Sequence, residues 1–129
     1  MKSARILKKP LTSLPTIEAS KSRMKLVCSD KIHIIPKAEI VYLKSDSNYC
    51  EVVMKDGCKI FCSQTLKSLY AKLPHSEFFR CHQSYVFNVR FLESVQSRMD
   101  ELVLEGGIAI PISRSNRAIF RSKLEIWFD

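Results

Sequence analysis

The sequence predicts a mainly β domain carrying two short helices, and three observations lead there. Short runs of β-branched and aromatic residues recur between turn-forming residues, as in Ile40–Lys44 and Ile108–Ile112. Asp56-Gly57 and Gly106-Gly107 fall between such runs, where a tight hairpin needs left-handed backbone. Helical spacing of apolar residues surfaces in only two places, so the chain is not a βαβ repeat. A length of 129 residues suits one domain, able to bury a core without disulfides or metal.

Residues 1–23 read as a basic arm. Pro10 and Pro15 interrupt any helix there. Such an arm serves as a solubilising tail, follows a phosphate backbone, or docks Ile6, Leu7, Leu11 and Leu14 on a partner chain. The body, residues 24–129, opens with strands over Lys25–Cys28 and Ile32–Ile35, and Pro36 ends the second. Lys37–Glu39 reads as a single helical turn. Strand Ile40–Lys44, a polar loop Ser45–Asn48 and strand Tyr49–Lys55 follow, and Cys58–Cys62 returns after Asp56-Gly57.

Leu66, Leu69, Tyr70 and Leu73 recur at helical spacing, capped by Ser63 or Thr65 and stopped by Pro74. The segment Phe78–Glu93, FFRCHQSYVFNVRFLE, reads as irregular at its centre, with a strand-like run from Val89 that continues to Gln96. Ser97–Asp100 turns the chain into a hairpin of Glu101–Glu105 with Ile108–Ile112, and Pro111 makes the second strand an edge or ends its pairing. Ser113 is expected to cap a last helix over about Ser115–Trp127.

Composition excludes several functions. No run approaches a membrane span, and the start lacks the apolar segment of a signal peptide. Five cysteines at irregular spacing argue for reduced thiols and so for a cytoplasmic chain. Cys58 and Cys62 have no second pair at zinc spacing, and His33, His75 and His82 have none either. With three glycines there is no phosphate-cradling loop, and no nucleophile–base or carboxylate pair is visible. Neither enzyme chemistry nor a cofactor is expected.

Charge narrows the partner. Residues 1–25 carry a net +6, whereas residues 26–129 carry only +2. A polyanion-binding face on the body must therefore come from local clustering. One cluster is visible: between Glu105 and Glu125 lie Arg114, Arg117, Arg121 and Lys123 and no acid.

Three polar groups sit at element ends: Ser45–Tyr49, Arg80–Ser84 and Ser113–Arg117. Their chemistry suits duplex DNA. Asn48 and Gln83 each donate and accept, matching the adenine edge, and Arg114 offers a fork to guanine. His82 meets a base or a phosphate, and serines and lysines take phosphates. Each has a plainer role: turn bracing for Asn48 and Gln83, a buried hydrogen bond for His82, a salt bridge for Arg114, packing for Arg80 and Tyr49. Whether the three groups share one face is not readable from sequence. A protein-interaction module on the same scaffold is the rival reading, and single-stranded nucleic acid a weaker one, since most aromatics look committed to the core.

The ordered motifs TLKSLYAKL (Thr65–Leu73), FFRCHQSYVFNVRFLESV (Phe78–Val95) and IPISRSNRAIF (Ile110–Phe120), with IVYLKSDSNY (Ile40–Tyr49), resemble the LytTR family of bacterial DNA-binding domains over about residues 25–125. The resemblance implies an elongated fold of several antiparallel sheets. It implies loops that enter successive major grooves of repeated promoter elements, often in a homodimer, and regulation through the transcription machinery. Carried over by position, the implied contacts are the Ser47–Tyr49 loop, His82 with Gln83, and Arg114 with Arg117; Arg80 joins them as a candidate from its own chemistry. Position 83 is Gln where the family often has Asn or a basic residue. No receiver domain is expected in 24 preceding residues, so the reading is a stand-alone regulator or an isolated binding domain.

Overall fold

A computed structural model describes residues 22–129. The expected arm over residues 1–23 lies outside the described residues except for Ser22 and Arg23. Side chains alternate along a strand, and here the alternation divides the apolar residues between two cores. The five central strands are β3 (Ile40–Asp46), β4 (Tyr49–Met54), β5 (Lys59–Cys62), β6 (Phe78–His82) and β7 (Tyr85–Asn88), in the order β5-β4-β3-β7-β6. Every neighbouring pair is antiparallel.

One face of this sheet presents Leu43, Cys50, Val52, Ile60, Phe78 and Val86. It is covered by a two-stranded ribbon, β1 (Arg23–Val27) with β2 (Ile32–Pro36), and by helix α1 (Leu66–Tyr70). Met24, Leu26 and Ile35 of the ribbon and Leu66 and Leu69 of the helix close that core. The other face presents Val41, Phe79, Cys81 and Phe87. Over it lie β8 (Leu92–Val95), β9 (Glu101–Leu104) and β10 (Ile108–Pro111), in the order β10-β9-β8, and helix α2 (Arg117–Trp127).

Phe120 seats α2. It is fully buried, its ring stacked 5.6 Å from Phe79 and edge-on 5.9 Å from Phe87. Burying one such side chain contributes about 1.5–3 kcal/mol, and Trp127 adds an edge contact to Phe79 at 5.8 Å. The mainly β expectation with several antiparallel sheets and two short helices is met.

The differences from the expected elements have local causes. The first strand begins at Arg23, two residues early, because Ser22 already accepts a hydrogen bond from Lys37 N–H at 2.8 Å. Helix α1 ends at Tyr70 rather than Leu73: Lys72 and Leu73 N–H bond to Leu69 and Tyr70 carbonyls, tightening the last turn before Pro74. Thr65 is its cap, accepting from Ser68 N–H at 3.1 Å.

Val89–Phe91 is a 3₁₀ turn and not a strand. Asn88, almost wholly buried, decides this. Its Oδ1 accepts from Arg90 N–H at 3.0 Å, and its amide donates to Ile40 O at 2.8 Å and Ala38 O at 3.4 Å. The last helix begins at Arg117, after a 3₁₀ turn over Arg114–Asn116, and Ser113 makes no side-chain cap to it.

Asn88→Ala is expected to lower stability by about 2 kcal/mol or more, because it leaves the buried Ile40 carbonyl and the part-buried Ala38 carbonyl without their donor. Urea denaturation with an unchanged slope and a lower midpoint is the expected record; an unchanged midpoint contradicts it.

Candidate nucleic-acid interface

In an antiparallel sheet, alternate turns emerge at the same end. Strands β3, β5 and β6 finish, and β4 and β7 begin, at one end of the central sheet. The Ser47-Asn48 and Gln83-Ser84 turns therefore project together. Ser45 N–H donates to Ser84 O at 2.8 Å and ties one turn to the other. With strands about 4.8 Å apart, the two turn centres are about 10 Å from each other.

The third group is brought to the same end by a strap. Ser113 N–H donates to Cys81 O at 2.9 Å, and Ser113 Oγ–H donates to the same carbonyl at 3.3 Å. Cys81 Sγ–H donates in return to Pro111 O at 3.5 Å. Arg114 thus follows a residue fixed to the immediate neighbour of His82. The Ser113 hydroxyl, expected to cap a helix, is used for this strap and for a 2.6 Å hydrogen bond from Asn116 Nδ2.

A bulge aims His82. Phe79 and His82 are three positions apart on β6, while their partners Phe87 and Tyr85 are two apart. The extra residue returns His82 to the face of Tyr85, whose ring it meets edge-on at 5.7 Å. Ser84 N–H donates to His82 Nδ1 at 3.0 Å, which leaves Nε2 as the donor of the neutral ring.

The candidates fall into two kinds. Asn48, Gln83 and Arg114 are exposed, and their side chains have no hydrogen bond or ion pair among the described residues. The turn-bracing alternative for the two amides and the salt-bridge alternative for Arg114 thus find no partner there. Arg80 instead serves the turn: its Nη2 donates to Gln83 O at 2.6 Å. Tyr49 is held by Asp46, to whose Oδ2 it donates at 3.2 Å, and its ring rests edge-on against Phe61 at 5.4 Å. Arg117 is half-buried, with Nε enclosed and unpartnered. Ser47 takes left-handed backbone, φ 53°, which costs a non-glycine residue about 1 kcal/mol and makes the turn tight enough to project Asn48.

Charge follows the same geometry. Lys44, Arg80, Arg114 and Arg117 gather at this end beside Asp46, whose carboxylate accepts from Tyr49, and Glu51, which faces Lys44 across the strand pair and is bridged to Lys59 at 3.5 Å. The opposite end is mixed, with Glu39, Asp56 and Glu77 beside Lys37, Lys55 and Arg90. A body of net +2 therefore presents a basic edge. Lys44, absent from the sequence-derived candidates, lies 5.9 Å over the Tyr85 ring. Its place at a strand end before a polar turn was the available signal.

The LytTr DNA-binding domain family model matches residues 30–125. Among curated relatives, the sensory transduction protein LytT of Bacillus subtilis is 27% identical over 111 residues, covering 84% of this chain and 46% of that protein. The Escherichia coli transcriptional regulatory proteins BtsR and YpdB are 25% and 24% identical, covering 65% and 89% of this chain and 35% and 48% of theirs. The chain thus spans about half or less of these relatives. A solved LytTr DNA-binding domain from Bacillus cereus superposes with a TM-score of 0.69 at 24% identity, covering 80% of this chain and 96% of that one.

The strap also makes a prediction. Burial pushes the Cys81 thiol up to about 12. Once the pH exceeds the ordinary thiol range, the unfolded chain gives up this proton and the native chain keeps it, so this site costs stability as pH rises. At pH 8, iodoacetamide is expected to modify exposed Cys58 and to spare Cys81 in the native state, read by peptide mass spectrometry. Equal labelling of the two contradicts the packing of the strap.

Proposed function

The chain belongs to the LytTR DNA-binding domain family, and from that premise we propose that it is a transcriptional regulator binding duplex DNA sequence-specifically through loops in the major groove. The family is a DNA-binding one and not a catalytic one. The observation that carries the proposal is the gathering of Asn48, His82, Gln83 and Arg114 along one basic end of the sheet, with the side chains of Asn48, Gln83 and Arg114 free of partners among the described residues and His82 Nε2 left open. An amide that donates and accepts, and a guanidinium fork, are what adenine and guanine edges require.

The row runs from the Ser47-Asn48 turn through His82 and Gln83 to Arg114. Two turn separations and the reach of an arginine make it roughly 20 Å long. That exceeds the width of one major groove, about 12 Å, so its ends enter successive grooves while the middle faces the phosphates between. Arg80 and Tyr49 support the turns in this reading, and Arg117 stands behind Arg114. Tandem promoter elements then hold two copies, a homodimer formed on DNA. The effect on transcription comes from occupying the promoter or touching the polymerase, in the cytoplasm.

Arg114→Ala is expected to weaken binding to a duplex selected from a random pool by about 1–3 kcal/mol, five- to 150-fold. Its exposure predicts an unchanged denaturation midpoint. Fluorescence anisotropy at fixed salt reads the affinity, and unchanged affinity refutes the assignment. Raising salt should weaken the native protein steeply as phosphate-bound counterions stop being released; a flat salt response favours a protein partner instead.

A further inference from the structure

A fourth segment reaches the same end of the sheet. Strand β5 finishes there at Cys62, so Ser63, Gln64 and Thr65 emerge beside the Ser47-Asn48 turn. Between the two segments lies a cleft of about 290 Å³, lined mainly by Ser45, Ser47, Asn48, Ser63, Gln64 and Thr65. We propose that this cleft is a seat for a backbone phosphate of the duplex, next to the base contacts of Asn48. The proposal rests on the DNA-binding reading above and adds a contact that sequence motifs treated only as helix caps.

The lining states the ligand class. Small organic ligands are held in mostly apolar pockets with a few polar groups. Here hydroxyls and amides predominate, and no lysine, arginine or carboxylate lines the cleft. Uncharged hydroxyl and amide donors are common partners of phosphate oxygens, and they carry no sequence information. A duplex phosphate, already neutralised in part by condensed counterions, needs donors and not a buried counter-charge.

Donors remain on Ser45, Ser47, Gln64 and Thr65, and the walls are fixed. Ser45 and Ser47 hydroxyls have no hydrogen-bond partner among the described residues. Thr65 Oγ1 accepts from Ser68 N–H, so its own proton remains available. Gln64 Oε1 accepts from Val27 N–H at 2.8 Å, which pins the side chain and leaves its amide protons as donors. Ser63 is anchored twice to Val27 O, through its backbone N–H at 3.0 Å and its hydroxyl at 3.3 Å, so it shapes the wall of the cleft and is not one of the free donors. The second wall is the Ser47 turn, held through Ser45 to Ser84. Donors placed this way lose little entropy on binding.

The test uses the full chain, a duplex that it selects from a random pool, and a random-sequence duplex of equal length. Ser63→Asp should weaken both duplexes by about tenfold or more and by the same factor, because a carboxylate repels a phosphate whatever the bases. Ser63→Lys should tighten both and steepen the salt slope by about one. A neutral methylphosphonate walked along the selected duplex should reveal one position that weakens the native protein and no longer weakens Ser45→Ala/Ser47→Ala. Binding by both Ser63 variants at native affinity and salt slope overturns the cleft while leaving the DNA reading intact. A native chain that binds neither duplex overturns both. Thermal denaturation of each variant separates loss of contact from loss of fold, and the Lys variant gains affinity only if the cleft faces phosphate.

Discussion

Strand β3 is hydrogen-bonded along both of its edges, and the position of every candidate contact follows from that. Tyr42, Leu43 and Lys44 face Val53, Val52 and Glu51 on one side and Phe87, Val86 and Tyr85 on the other. A strand held so cannot slide by one residue without turning its apolar set toward water on both faces. The turn that follows it is therefore fixed relative to the turn that precedes β7. Asn88 locks the far end of the same strand through Ile40 O, and Ser45 locks the near end through Ser84 O. The register shift between Ile40 and Tyr42 lets Val41 and Tyr42 both serve the second core, so one strand builds both.

Rigidity of this kind matters for a surface built from short polar side chains. Asn, Gln and Ser reach only a few ångströms, so they can read a groove only if the backbone beneath them is already in place. The two turns are each two residues long and cross-tied, and the third segment hangs from the Cys81 carbonyl. Little ordering remains to be done on binding, and ordering is what ordinarily consumes the interaction energy of flexible loops. The same economy explains why Arg80 is spent on the Gln83 carbonyl: a charge-assisted bond to the turn holds the residue beside His82 in position.

The basic edge is likewise a product of folding. Along the chain, acids and bases of the body nearly cancel. The sheet sends Glu39, Asp56 and Glu77 to the end where β3 begins, β4 leaves and β6 starts, and keeps Arg80, Arg114 and Arg117 at the other. Opposite charges separated by the length of a strand of five to seven residues, about 15–20 Å, are screened from one another beyond a Debye length of about 8 Å in physiological salt. The near edge then presents its own charge to a polyanion.

What the residues determined alone was the local grammar. Alternation, the Asp56-Gly57 and Gly106-Gly107 turns, the Leu66–Leu73 spacing and the stop at Pro74 are all properties of neighbours in the chain, and they were readable as such. So was the chemistry of Asn48, His82, Gln83 and Arg114, because donors and acceptors belong to side chains wherever they lie. Tertiary structure decided the rest. Asn88 turned an apparent strand at Val89 into a 3₁₀ turn by bonding to residues 48 and 50 positions away. Ser113 left helix capping for Cys81, 32 positions away, and a one-residue bulge chose the face of His82. Each outcome is a long-range hydrogen bond or a register, and a register exists only between two strands; no stretch of sequence carries it before its partner is in place.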